Sequence, residues 1–72
     1  MTTQATKLVL LGKNIQKARK KIKLSQNELA ELLDISREHL AKIETAKRCV
    51  SLGLLIDIAS KLHVEVNDLI DF

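Results

Sequence analysis

Hydrophobic residues recur every three or four positions along much of the chain, and this spacing predicts short amphipathic helices. In the first stretch the apolar positions are Leu11, Ile15, Ala18 and Ile22. Lysines fill the positions between them, so we expect a first helix that ends near Lys21. The start of this helix is open, because residues 8–10 either extend it or form a loose arm. Residues 1–7 are a candidate flexible arm.

Serines mark the expected starts of the next three helices. Ser25 and Glu28 have the spacing of a capping box, in which the serine hydroxyl accepts the backbone N–H of Glu28 and the glutamate returns a bond. Ser36 and Ser51 precede the third and fourth helices in the same way. We expect the second helix to end near Asp34, where a left-handed turn is tolerable.

Apolar faces are expected on each of the later helices, and a short fifth helix over about residues 66–70 completes the set. The expected inward positions are Leu29, Ala30, Leu32 and Leu33 in the second helix, Leu40 and Ile43 in the third, Leu52, Leu55, Ile58 (or Ile56), Ala59 and Leu62 in the fourth, and Leu69 in the fifth. Five short helices joined by short links predict an all-α fold, a compact five-helix bundle.

The composition agrees with this fold class. The 72 residues are enough for one domain, 46% of them are hydrophobic, and the chain has two glycines, one aromatic residue and no proline. A β-sandwich or barrel needs turn residues and β-branched runs that this chain lacks. We therefore expect residues 1–72 to form a single domain.

The net charge of +3 is unevenly distributed. Residues 1–48 carry eleven basic and five acidic side chains, a net +6, whereas residues 49–72 carry one lysine and four acidic side chains, a net −3. A basic face joined to an acidic one suggests that one side meets a polyanion. The alternative is that the lysines only form a solvated surface.

Several other classes are disfavoured. Cys49 is the only cysteine and cannot form a disulfide within the chain, and no uncharged apolar run approaches the length of a membrane span. No signal peptide pattern is visible, so we expect a cytoplasmic domain with no membrane partner. His39, His63 and Cys49 lack the paired spacing of metal ligands. We expect no metal, no cofactor, no small-molecule ligand and no enzymatic activity.

The second helix, a turn of about three residues and the third helix have the spacing of a helix-turn-helix. The segments LGKNIQKARKKIKLSQNELAELLDIS, REHLAKIETAKR and SLGLLIDIASKLHVEVNDL, which run from Leu11 to Leu69, resemble the Xre/Cro/C1-type phage-repressor family of DNA-binding domains. The match covers about four-fifths of the chain and keeps the SQ-x-ELA signature at residues 25–30. The resemblance implies a lambda-repressor-like DNA-binding domain.

The resemblance also implies roles for single residues on double-stranded DNA. Arg37, Glu38 and Lys42 fall on the positions of the recognition helix that face bases in the major groove. The positions that contact phosphates or run beside the DNA backbone are those of Ser25, Gln26, Ser36, His39, Thr45, Lys47 and Arg48. His39 could contact either phosphate or base.

Arg19 and Glu44 occupy the positions of a partly buried ion pair that, in the family, ties the first helix to the end of the recognition helix. The chain departs from the family pattern where glycine commonly follows helices two, three and four. Here those positions hold Asp34, Ala46 and His63, so either their backbone is left-handed at some energetic cost or the loops differ in shape.

More apolar residues remain than five short helices can bury. They are Val50, Leu54, Val66, Ile70 and Phe72, with one of Ile56 and Ile58. They are either scattered surface residues or the interface of a homodimer built from helices four and five.

We therefore expect a sequence-specific transcriptional regulator that binds a palindromic operator as a homodimer, with helix three in the major groove. The alternative is a protein-interaction module, an antitoxin or adaptor, that uses the same bundle.

Overall fold

Five helices make up the computed structural model, which describes residues 4–72. They are α1 (Gln4–Lys21), α2 (Gln26–Leu33), α3 (Arg37–Glu44), α4 (Leu52–Leu62) and α5 (Val66–Ile70). No strand occurs among the described residues. The predicted all-α fold with five helices is confirmed.

Serine side chains cap the N-termini of three helices, as the sequence predicts. The Oγ atoms of Ser25, Ser36 and Ser51 each accept a hydrogen bond, at 3.0 to 3.1 Å, from the backbone N–H three residues further on. At α2 the box is complete, because the carboxylate of Glu28 accepts the backbone N–H of Ser25 at 2.9 Å. These bonds satisfy N–H groups that would otherwise lack partners at a helix start.

The start of α1 resolves the alternatives for the first ten residues. The helix begins at Gln4, so residues 8–10 extend it and do not form a loose arm. Residues 4–7 of the candidate arm are also helical. Residues 1–3 of that arm lie outside the described residues.

The core lies where the apolar faces of all five helices meet. Its most deeply buried members are Ile15, Leu29, Leu40, Ile58, Leu62 and Leu69. Of the two alternatives for the fourth helix, Ile58 is fully buried and Ile56 is 50% exposed. The periodicity of the sequence therefore predicts at least one deeply buried residue of each helix, and the structure decides between Ile58 and Ile56.

Three residues expected in the core are exposed: Ile22 by 39%, Leu32 by 50% and Leu52 by 70%. Ile22 lies beyond the end of α1, so the helical spacing no longer aims its side chain at the core. Leu32 lies at the flank of the narrow apolar stripe of α2, whereas Leu52 is the first residue of α4, at an end of that helix where residues 51–53 are all exposed. These three assignments were wrong.

Left-handed backbone occurs at all three positions where the family commonly has glycine. Asp34, Ala46 and His63 have φ values of 57°, 61° and 59°, so the loops keep the shape without the glycine. Lys23, with φ of 61°, is a fourth such residue that the sequence pattern did not indicate. A residue with a Cβ loses roughly 1 kcal/mol in this conformation.

One glycine lets two helices approach each other closely. Gly12 of α1 lies against the last carbonyl groups of α3, and a Cβ placed on it would overlap the carbonyl of Glu44 and come within 2.9 Å of the carbonyl oxygen of Ile43. The close crossing of α1 over the end of α3 therefore requires a residue without a side chain at position 12.

Candidate nucleic-acid interface

The α2–turn–α3 unit has a buried inner side and an exposed outer side. Leu29 and Ala30 of α2 and Leu40 and Ile43 of α3 are buried, which fixes the two helices against the bundle. The turn between them passes through Asp34, whose backbone N–H donates to the carbonyl of Glu31 at 3.1 Å. One face of α3 is thereby free to meet a partner.

The exposed face of α3 brings together the side chains expected to contact bases. Arg37, Glu38 and Lys42 are all exposed, and with Ala41, Thr45 and Lys47 they line one shallow groove. A nitrogen of Arg37 lies 3.9 Å from an oxygen of Glu38, which is too long for a hydrogen bond. Both groups therefore keep their hydrogen-bonding capacity for a partner.

Ser25 and Ser36 lie exposed at the starts of α2 and α3. Each Oγ already accepts one backbone N–H, but a hydroxyl also has a hydrogen that it can donate. His39 is half-buried in the first turn of α3. Ser25 therefore lies at the N-terminus of α2, and Ser36 and His39 lie at that of α3. The N-terminus of a helix favours anions, because its free N–H groups and its dipole are positive there.

Thr45 differs from the other residues expected at the DNA backbone. Its Oγ1 donates to the carbonyl of Ala41 at 2.8 Å, and its backbone N–H donates to the same oxygen at 3.0 Å. Both of its donors are thus used within α3. A phosphate contact would require the side chain to rotate away from Ala41.

Lys47 and Arg48 lie exposed in the loop between α3 and α4. The backbone N–H of Lys47 donates to the carbonyl of Lys42 at 2.8 Å, which holds the loop against the end of α3. The left-handed backbone at Ala46 directs the chain back into this bond. Lys47 is consequently placed beside the α3 groove despite the absent glycine.

The ion pair expected between Arg19 and Glu44 is present and buried. Arg19 Nε and Nη2 donate to the two carboxylate oxygens of Glu44 at 2.8 and 3.1 Å, and its Nη1 donates to the carbonyl of Leu24 at 2.8 Å. Gln26, the first residue of α2, donates from Nε2 to Oε1 of Glu44 at 3.0 Å. This cluster joins the ends of three helices, and it turns the amide of Gln26 toward the protein.

The capping box of α2 lowers the pKa of Glu28. The pKa of Glu28 is lowered by the hydrogen bond from the backbone N–H of Ser25, with a smaller contribution from the Ser25 side chain. Both bonds favour the charged carboxylate at the start of α2, where the helix dipole also favours negative charge.

The residues expected at a dimer interface divide into two groups. Val50, Leu54 and Val66 are partly buried and pack against the core of their own chain. Ile70 and Phe72 are exposed, as are Leu52 and Ile56 of α4. We call Leu52, Ile56, Ile70 and Phe72 the distal apolar residues, because they lie on α4, α5 and the C-terminal end and not on the α2–α3 unit.

Potential metal ligands, the cysteine and the length of the helices are the remaining features of residues 4–72. No group of three or more His, Cys, Asp or Glu residues within residues 4–72 is placed to hold a metal ion. Cys49 is an exposed thiol. None of the five helices combines the length and the apolar character needed to cross a membrane.

The sequence patterns missed two features of this site. Gly12 and the bond between Gln26 and Glu44 both depend on how helices cross, and helical spacing within one segment does not report crossings. A glycine inside a helical pattern was the available indication for Gly12, since such a residue often marks a close packing contact.

A family model and a curated protein resemble this chain in sequence. The HTH_3 family model, described as helix-turn-helix, matches residues 15–69. The antitoxin PezA of Streptococcus pneumoniae serotype 4 is 36% identical over 61 residues, which cover 85% of this chain and 39% of that protein. The chain thus spans about two-fifths of the length of this curated relative.

Two solved regulators have closely similar structures. The restriction-modification controller protein C.AhdI of Aeromonas hydrophila superposes with a TM-score of 0.82 at 32% identity, covering 86% of this chain and 94% of that one. The clp gene regulator ClgR of Corynebacterium glutamicum gives a TM-score of 0.85 at 27% identity, covering 88% and 67%. The chain therefore belongs to the HTH_3 family of helix-turn-helix proteins, the Xre/Cro/C1-like group that its sequence resembles.

Proposed function

We propose that this chain is a sequence-specific transcriptional regulator that binds double-stranded DNA with α3 in the major groove. The observation that carries the proposal is the exposed face of α3, where Arg37, Glu38 and Lys42 share a groove with Lys47 on a helix whose opposite face is buried. A recognition helix needs this division, because its inner face must fix the backbone while its outer side chains reach base edges.

Each of the three α3 side chains suits a particular base edge. Arg37 can donate two hydrogen bonds to a guanine, Glu38 can accept from the amino group of cytosine, and Lys42 can reach O6 or N7 of a guanine. No hydrogen bond joins Arg37 to Glu38, so both groups can form hydrogen bonds to neighbouring bases.

Backbone phosphates are assigned to a second set of residues. Ser25, Ser36 and His39 provide donors at the starts of α2 and α3, and Lys47 and Arg48 provide charge from the loop after α3. These contacts set the orientation of the protein on the duplex and supply a salt-sensitive affinity for any sequence.

We further propose that two copies bind together through the distal apolar residues. These four side chains are exposed on the half of the chain that carries the net negative charge, so pairing them leaves the α3 face of each copy free. A two-fold dimer predicts a palindromic operator whose half-sites lie about 34 Å apart, one turn of DNA. It would also supply the affinity that a single short recognition helix lacks.

The antitoxin function of PezA favours a second candidate, a module whose main partner is another protein. The distal apolar residues would then bind that partner in place of a second copy. Sedimentation of the pure protein separates the candidates. A monomer at tens of micromolar that also lacks tight duplex binding favours the interaction module.

Selection of bound sequences from random duplex DNA, followed by gel shifts with two variants, tests the proposed regulator. We expect Arg37→Ala to relax the preference at one base pair, because it removes a base contact. Lys47→Ala should weaken binding to every duplex by about the same factor, because it removes a phosphate contact. The reverse pattern would contradict the assigned roles.

A further inference from the structure

The side chain of the half-buried Gln26 bonds to a buried carboxylate. Its Nε2 lies 3.0 Å from Oε1 of Glu44, and the side chain of Glu44 is only 1% exposed. A hydrogen bond to a buried carboxylate is stronger than one between neutral groups, since the acceptor is charged and shielded from water.

The bond between Gln26 and Glu44 connects the two helices of the α2–α3 unit. Residues 34–36 connect the C-terminal end of α2 to the N-terminal end of α3. Gln26 is the first residue of α2 and Glu44 is the last residue of α3, so their bond joins the two opposite ends. The two helices are therefore linked twice: residues 34–36 join the end of α2 to the start of α3, and the hydrogen bond joins the start of α2 to the end of α3.

Glu44 is itself held in place by α1. Arg19 donates to both of its carboxylate oxygens and also donates to the carbonyl of Leu24, just ahead of α2. The acceptor that holds Gln26 thus has a fixed position relative to the rest of the bundle. The cluster therefore adds a polar link between the start of α2 and the end of α3 to the packing of their buried faces.

We propose that Gln26 is a positioning residue for base recognition, acting through Glu44 to fix the angle at which α3 enters the major groove. This inference rests on the proposed function. It gives Gln26 a role in discrimination between DNA sequences and not in the uniform attraction to phosphates that the family resemblance implies. The two roles predict different outcomes for the same substitution.

The first test compares Gln26→Ala with the unsubstituted protein on two duplexes, the sequence obtained by selection and an unrelated one, at one salt concentration. Loss of the bond leaves Glu44 paired with Arg19, so no buried charge is stranded. We expect affinity for the selected duplex to fall about tenfold and affinity for the unrelated duplex to change less than about twofold. An equal loss on both duplexes would identify a phosphate ligand and overturn the proposal.

Asn27→Ala is the matched control. Asn27 is the next residue of α2, is exposed, and makes no side-chain hydrogen bond within residues 4–72. This variant should leave the ratio of the two affinities unchanged. A change as large as that of Gln26→Ala would show that any truncation at the start of α2 alters recognition, and would contradict a role specific to Glu44.

A second test repeats Gln26→Ala in an Arg19→Met/Glu44→Leu background, in which the buried ion pair is replaced by apolar side chains. Because Gln26 has no carboxylate to bind there, its truncation should not change the affinity ratio further. A further fall in the ratio would overturn the proposal. Circular dichroism and thermal melting establish that each variant folds, and if the background does not fold, the first test decides alone.

Failure of this inference is distinct from failure of the proposed function. A protein that prefers no duplex over another refutes the regulator and the positioning role together. A protein that selects a sequence and keeps its affinity ratio in Gln26→Ala refutes only the positioning role.

Discussion

At the scale of single residues, Gly12 determines how closely α1 approaches α3. In Gly12→Ala the added Cβ would overlap the carbonyl of Glu44 and crowd that of Ile43, both of which are backbone groups that cannot rotate away. We expect the free energy of unfolding to fall by about 1 to 3 kcal/mol, as for other overpacked sites, measured by urea titration.

Gly53→Ala provides the control, since no atom lies within 4 Å of a Cβ placed at that position in α4. Alanine favours a helix more than glycine does, so this variant should gain roughly 0.5 to 1 kcal/mol. If both alanine variants lost stability equally, contact with α3 would not be the cause.

At His63, in contrast to Gly12, we expect a substitution to raise the stability of the protein. Its φ of 59° is unfavourable for a residue with a Cβ, and its side chain is exposed. His63→Gly should therefore raise the free energy of unfolding by about 1 kcal/mol, visible as a higher melting temperature. Ser60→Gly, within α4, should lower it, and a loss in both variants would show that the left-handed backbone carries no cost here.

At the scale of helices, the buried ion pair joins α1 to α3. Arg19→Met leaves the carboxylate of Glu44 buried with only Gln26 as a partner, which should cost on the order of 3 to 5 kcal/mol. Arg19→Met/Glu44→Leu should cost much less than the sum of the two single substitutions, since no charge is then left unpaired. Additive losses in urea titrations would refute the coupling.

The capping box of α2 predicts a dependence on pH. The pKa of Glu28 is lower in the folded protein, chiefly because the backbone N–H of Ser25 bonds to its carboxylate. Its contribution to stability is therefore present above the ordinary glutamate pKa and is lost as the pH falls through the lowered pKa. Thermal melts of the unsubstituted protein and Glu28→Gln should converge toward acid pH. A constant difference would contradict this origin.

Local patterns predicted the parts of the fold that short segments determine. The serine caps and the left-handed residue at Asp34 follow from side chains within a few positions, and helical spacing identified Leu62 and Leu69 as core. The exposure of Leu32 could not be predicted in this way, because it depends on whether another helix covers that flank of α2.

The candidate site shows the same limit. Exposure of Arg37, Glu38 and Lys42 follows from the spacing of Leu40 and Ile43. The pairing of Arg19 with Glu44 was expected because of the family resemblance. The bond between Gln26 and Glu44 links residues 18 positions apart in different helices, and no pattern within one helix specifies it.

At the scale of the whole molecule, the proposed dimer depends on exposed residues of α4, α5 and the C-terminal end and not on α3. Ile56→Lys places a charge among the distal apolar residues, so we expect a dimer in sedimentation equilibrium to become a monomer, with weaker binding to a palindromic duplex. Leu32→Lys is the control, because Leu32 is also 50% exposed but lies on α2. A monomeric unsubstituted protein, or equal dissociation in both variants, would refute the proposed interface.

The separation of the two faces of α3 has a consequence for engineering. Arg37, Glu38 and Lys42 are exposed, whereas Leu40 and Ile43 are buried in the core, so the residues assigned to DNA reading differ from those that hold the helix in place. A library randomised at the three outward positions should retain a folded scaffold in most of its members. Operator preference could then be reprogrammed by selection while the remainder of the chain stays constant.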